Sequence, residues 1–143
     1  MGRVVGKILS THCQKRDDVV WMYSLRGEDP DEDISLKGIC EVNLAGNLVD
    51  AKCIQDLCYF LQYDGWTRSI NLRKNNIAVA GIEELNKVLD SNESLISLDL
   101  RENPGFDGNY SQVIFSKLLR NIKNFKKKRL MWQLSRGENN QEV

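Results

Sequence analysis

The sequence predicts an α/β fold of repeated strand–loop–helix units, with a short parallel sheet on one face and helices on the other. Three observations predict it. First, a nine-residue pattern recurs: Ile39-x-x-Val42-x-Leu44-x-x-Asn47, Thr67-x-x-Ile70-x-Leu72-x-x-Asn75 and Leu95-x-x-Leu98-x-Leu100-x-x-Asn103, with starts 28 residues apart each time. Second, apolar and polar residues alternate within each copy, which is the period of a strand. Third, the period turns helical after each asparagine, as in Ile82, Leu85, Val88 and Leu89.

Taken in order, the strands are expected at 42–44, 70–72 and 98–100, with Val42/Leu44, Ile70/Leu72 and Leu98/Leu100 turned to one face. Asn47, Asn75 and Asn103 close the strands. Their side-chain amides are suited to backbone groups that a bending chain leaves unpaired, and stacking would align them as a ladder. Helices follow near 52–62, 80–91 and 110–123. The first carries Ile54, Leu57, Phe60 and Leu61; the third carries Ile114, Leu118 and Leu119, one residue late. The delay places a one-residue insertion in the Pro104–Asn109 loop, where a proline and two glycines favour a turn.

This is the pattern of a leucine-rich-repeat solenoid, and its period lies within the usual range of about 20–29 residues. A helix in every unit makes it similar to ribonuclease inhibitor, which implies a sheet on the concave face and helices on the convex one. No unit buries its apolar face alone, so the stack is the folding unit. The organisation is residues 1–37, an N-terminal helical segment and acidic loop forming a partial repeat or a cap; residues 38–122, three repeats (38–66, 67–94 and 95–122); and residues 123–143, a basic tail or capping helix.

Residues 1–26 have helical apolar spacing, and Trp21 is expected to pack on the stack because its large apolar surface gains most from burial. Gly27–Asp33 reads as a solvated acidic loop. If Gly2–Leu9 is the helix of a repeat whose strand is missing, the first strand has an open edge on which another chain could pack.

Composition excludes several function classes. Lys+Arg and Asp+Glu are 20 each, so no net charge points to nucleic acid. No segment reaches the roughly 18 consecutive apolar residues of a membrane span. The start, MGRVVGKILSTHC, lacks a secretory apolar core, so two glycosylation sequons at Asn92 and Asn109 read as chance matches in a cytosolic chain. Cys13, Cys40, Cys53 and Cys58 form no C-x-x-C pair and read as reduced packing residues, with no metal site. The one histidine, His12, adjoins Cys13, but neighbouring side chains on a helix diverge. No nucleotide-binding or metalloprotease motif appears, so neither an enzyme nor a cofactor is expected.

Two surfaces remain as protein-binding candidates. Polar residues alternating with the core positions would face the concavity: Asn71 with Arg73, and Asp99 with Arg101. Arg73 and Arg101 occupy equivalent positions in adjacent units, which suits a paired guanidinium site for carboxylates; a solvated face with Asp99 neutralising a neighbour is the other reading. The second surface is the basic run of Arg120, Lys123, Lys126, Lys127, Lys128 and Arg129. It reads either as a docking segment for an acidic protein, a phospholipid surface or tubulin tails, or as a cap that needs to bury Trp132 and Leu134.

A more specific resemblance rests on Lys7-Ile8-Leu9, Trp21-x-x-Ser24-Leu25-Arg26, Pro30-Asp31, Gly38-Ile39, Trp66–Leu72, Gly81 and Ser94–Pro104. Across about residues 2–122 the chain resembles the C-terminal part of the repeat region of the seventy-eight-kilodalton centrosomal protein family. The Trp–Ser-Leu-Arg insert is the more specific part of the match. The resemblance implies a non-enzymatic interaction scaffold in the cytoskeleton, at centrosomes, centrioles or ciliary basal bodies, that supports cilium assembly. Its implied partners are centriolar or microtubule-associated proteins and ubiquitin ligase components. The alternative is a structural subunit of a ciliary axoneme or another microtubule-associated assembly.

Overall fold

A computed structural model describes residues 1–30 and 38–135. Asp31–Asp33 of the acidic loop and the last eight residues of the C-terminal segment lie outside the described residues. The elements are α1 (Gly2–Leu25), β1 (Glu41–Asn43), α2 (Ala51–Leu61), β2 (Ser69–Asn71), α3 (Val79–Ser91), β3 (Ser97–Asp99) and α4 (Gly108–Ser135).

The strands form one parallel sheet in the order β1-β2-β3. Its register pairs Val42 with Ile70 and Ile70 with Leu98, so the sequence period and the pairing register are the same number. Each strand lies one residue earlier than the alternation predicts, because the last apolar residue, such as Leu72, bonds to the next unit through its N–H alone (2.8 Å to the Asp99 carbonyl).

The core lies between sheet and helices. Ile70, Leu72 and Leu100 meet Ile54, Leu57, Leu61, Ile82, Leu85, Leu89, Ile114 and Leu118 there, all buried. Val42, Leu44 and Leu98 are half-buried against it. Leu119, expected in the third stripe, is instead exposed; Asn121 takes the inward position one turn on.

All four helices run parallel. Gly2 meets Cys53, Gly6 meets Phe60, and the Cys13 thiol reaches the Tyr63 carbonyl (3.8 Å), which orders α1 along α2. Tyr110 bonds Glu83 and Arg120 bonds the Leu89 carbonyl, which orders α4 along α3. The contact of α1 with α2 is close enough to require glycine: a Cβ on Gly2 would lie 2.0 Å from the Cys53 carbonyl oxygen.

The outer helices are much longer than the inner ones, 24 and 28 residues against 11 and 13. Both overhang at the same end. The helix expected to stop near 123 continues to Ser135, about 20 Å past the end of α3 at 1.5 Å per residue. The expectation for Trp21 fails: it lies on the overhang of α1, past the last buried residue of that helix, Arg16, and is 63% exposed. On that overhang Leu25 follows Met22 at i+3 and Trp21 at i+4, and all three are exposed. Trp132 is half-buried, whereas Leu134, expected to need burial, is exposed.

Two substitutions test this packing. Leu72→Ala is expected to cost about 2–5 kcal/mol by leaving a cavity at the centre of the sheet. Gly105→Ala would place a Cβ 2.2 Å from the Ala78 backbone, where no side chain can move aside. A loss of about 1–3 kcal/mol is expected in chemical denaturation, and an unchanged midpoint would contradict the close approach.

Candidate protein-binding surfaces

The surfaces are set by hydrogen-bond ladders that repeat with the chain. On the side following the strands, Asn75 Nδ2 donates to the carbonyls of Leu44 (2.9 Å) and Leu72 (2.8 Å), and its Oδ1 accepts from the N–H groups of Asn47 and Val49. Asn103 does the same one unit later, donating to Leu72 and Leu100 and accepting from Ile77. Asn47 differs: it is exposed and donates only to the Ala45 carbonyl, because among the described residues no unit precedes it for its amide to bridge.

A second ladder, on the side preceding the strands, has no counterpart in the sequence reading. Asn92 is buried; Nδ2 donates to Leu61 and Asp64, and Oδ1 accepts from Ser94 and Leu95. Asn121 is fully buried and donates to Asn92 and Leu95. Asp64 holds the first rung, accepting from the N–H groups of Trp66 and Thr67 and from the Thr67 hydroxyl. An acceptor-only carboxylate suffices there. The preceding helix, α1, runs on to Leu25 and uses its carbonyls within itself, so an amide would find none to donate to. The signal was present in the sequence as Asp64 and Asn92 28 residues apart, but Asn121 comes one residue late.

The concave candidates are tied into this frame. Asn43, Asn71 and Asp99 each accept, through Oδ1, the N–H two residues ahead, at 3.0–3.1 Å. Asn71 and Asp99 thus fasten the turn that ends each strand, and both are half-buried. Three residues past these anchors the backbone is left-handed in every unit, at Gly46 (φ 69), Lys74 (φ 55) and Glu102 (φ 60). Arg73 and Arg101 are exposed and neighbouring, but each guanidinium already holds a carboxylate. Arg73 pairs with Glu102, and Arg101 grips Asp99 with Nε (2.9 Å) and Nη2 (2.6 Å). A ligand carboxylate would therefore have to displace an internal partner at both positions.

The basic run divides in two. Arg120 is structural: it donates to the Leu89 and Asn92 carbonyls, and Lys117 to that of Asn86. Cations placed on the last carbonyls of α3 satisfy the end of that helix and its dipole. Lys126, Lys127 and Lys128 lie exposed on the α4 overhang. Lys128 reaches Glu93 at 3.4 Å, and neither Lys126 nor Lys127 has an ion pair among the described residues.

The remaining chemistry is quiet. All four cysteines are free thiols; Cys13 and Cys58 are buried, and burial pushes the Cys58 thiol up to about 12. Among the described residues no three His, Cys, Asp or Glu side chains gather as metal ligands, and no helix is long and apolar enough to cross a membrane.

Two outcomes follow from the ladders. Asn92→Ala is expected to destabilise by about 3 kcal/mol, since several buried backbone groups lose their partner, while Asn47→Ala stays within about 0.5 kcal/mol. The second concerns Asp99, whose carboxyl is held below the usual carboxylate range, first by the hydrogen bond from the Arg101 side chain. A lowered folded-state pKa stabilises above the unfolded value and is lost as pH falls through the folded one. In an NMR titration Asp99 should ionise below ordinary aspartates, and Arg101→Ala should move it upward.

Comparison with known proteins places this chain among named relatives. It is 31% identical over 122 residues to the Centrosomal protein of 78 kDa of Homo sapiens and 29% identical over 118 residues to that of Mus musculus, in each case over 82% of this chain. The protein of that name from Xenopus tropicalis is 31% identical over 108 residues. The chain spans about a sixth of these relatives, 15% and 17% of the mouse and human proteins. No family model matches it. A solved structure of leiomodin-1 actin-binding site 2 superposes with a TM-score of 0.50 at 20% identity, covering 64% of this chain and 69% of that one, a likeness of fold alone.

Proposed function

From its homology to the 78-kDa centrosomal proteins, over 82% of its length, we propose that this chain is a short leucine-rich-repeat scaffold that binds other proteins at the centrosome. The relatives' name supports a centrosome-related role. The repeat reading is supported by the sheet register, which pairs residues one 28-residue period apart, and by the asparagine ladder at that period. Such a frame contributes rigidity and a surface, and binding is what a rigid, periodic surface does. Centriolar and ciliary roles, and partners among microtubule-associated proteins or ubiquitin ligase components, belong to this reading.

The second reading, a permanently packed structural subunit, is favoured by the N-terminal side. β1 has one unpaired edge among the described residues, and Val4 and Ile8 expose apolar surface on α1.

A tagged copy is expected to concentrate at centrosomes in dividing cells; diffuse signal, or signal confined to axonemes, would contradict the first reading. For the captured partner, affinity measured at two salt concentrations separates the surfaces. Arg73→Gln with Arg101→Gln removes the concave cations at a stability cost of about 1 kcal/mol or less, since exposed ion pairs contribute little. Neutralising Lys126, Lys127 and Lys128 should lower the on-rate and flatten its salt dependence. Given the internal partners of Arg73 and Arg101, the lysine triple is expected to have the larger effect.

A further inference from the structure

Between the end of α2 and the overhang of α4 lies an open cavity of about 430 Å³. Its floor is Tyr63 and Trp66 with the Asn92–Ser94 turn, and its wall is Phe125 and Lys128 of α4. Arg68 sits between them. Its guanidinium lies over the Phe125 ring, 4.8 Å from the centroid, and its Nη1 donates to the carbonyls of Gly65 and Ser94, each at 3.3 Å. Among the described residues its Nε and Nη2 have no acceptor and it has no ion pair. The Asp64 carboxylate also acts on Arg68 electrostatically, but its oxygens are bound to Trp66 and Thr67. Burial disfavours the charged form of this guanidinium, while the nearby Arg16 adds to the strain on it. A half-buried cation with only carbonyl partners lacks the carboxylate that would offset its desolvation.

We propose that this cavity is a docking site for an extended acidic peptide of a partner protein, one carboxylate engaging Arg68 and a second engaging Lys128. The proposal rests on the scaffold reading and names the ligand class and the site. Arg68 offers two adjacent donors, the geometry that grips a carboxylate in a fork. Lys128 already shows the chemistry, since it holds Glu93 at 3.4 Å in solvent, an exposed pair that an incoming acidic side chain can replace. The aromatic floor suits an apolar residue between the acids. Lys126 and Lys127, on the same overhang, draw an acidic chain toward the site without touching its floor.

The test is direct binding of a fluorescein-labelled oligoglutamate with one central leucine to the full chain, followed by anisotropy. Arg68→Gln should weaken binding by about tenfold or more, as loss of a buried charge contact does. Since that change could also loosen the fold, Glu93→Gln is the deciding variant: it frees Lys128 and should tighten binding by about threefold or more, which no folding defect produces. Lys126→Gln with Lys127→Gln should reduce mainly the salt dependence. Equal affinity of wild type, Arg68→Gln and Glu93→Gln overturns the site, as does tighter binding of a phosphoserine peptide or of anionic vesicles than of the acidic peptide. Absence of binding up to about 1 mM peptide, weaker than about 4 kcal/mol, also overturns it. If the chain still captures its cellular partner in that case, the scaffold reading stands and this site alone is wrong.

Discussion

The structure depends on satisfying backbone groups at the two bends of each unit. Turning a chain from strand to helix and back every 28 residues leaves carbonyls and N–H groups at buried corners, where water cannot reach them. A side-chain amide offers two N–H donors and an acceptor oxygen on one planar group, so one asparagine can bridge its own turn and the one before it. Asn75 and Asn103 do this after the strands and Asn92 does it before them, while Asn121, inside α4, donates only to the turn before it. The apolar core then needs only to fill the space that these bridges hold open.

That constraint explains the ends of the stack as well as its middle. Where no described unit precedes, Asn47 is exposed and a carboxylate, Asp64, replaces the amide of the second ladder. Among the described residues no strand follows Asn121, and α4 continues as a helix. The overhangs of α1 and α4 lie at the two ends of the described stack. They carry the exposed Trp21, Met22 and Leu25 on one side and Lys126–Lys128 on the other. Surface available for binding accumulates where the periodic bonding ends.

The repeat also shows which charges are occupied. Asn71 and Asp99 are placed on the concave face by the sequence, and their position two residues before an unpaired N–H makes them turn anchors as well. Of the two readings of Arg73 and Arg101, a paired site or a face with Asp99 neutralising a neighbour, the contacts agree with the second: Asp99 holds Arg101, and Glu102 holds Arg73. Arg68 attracted no attention as a lone cation beside a strand. Its interest comes from Phe125, 57 positions away, and from its having no ion pair among the described residues.

The sequence by itself determined the strands to within one residue, the presence of a helix after each strand with most of its buried stripe, and the asparagine ladder after the strands at Asn75 and Asn103. These follow from period and residue type, because alternation sets which side chains share a face and identical spacing sets the register. The tertiary structure alone decided the length of α4, the exposure of Trp21 and Leu134, the second ladder, and which cations are free. Those depend on what lies beside a residue across the stack. A one-residue insertion hides Asn121 from the period. The charge left to a side chain is fixed by its neighbours in space, near in sequence for Arg101 with Asp99 and distant for Arg73 with Glu102.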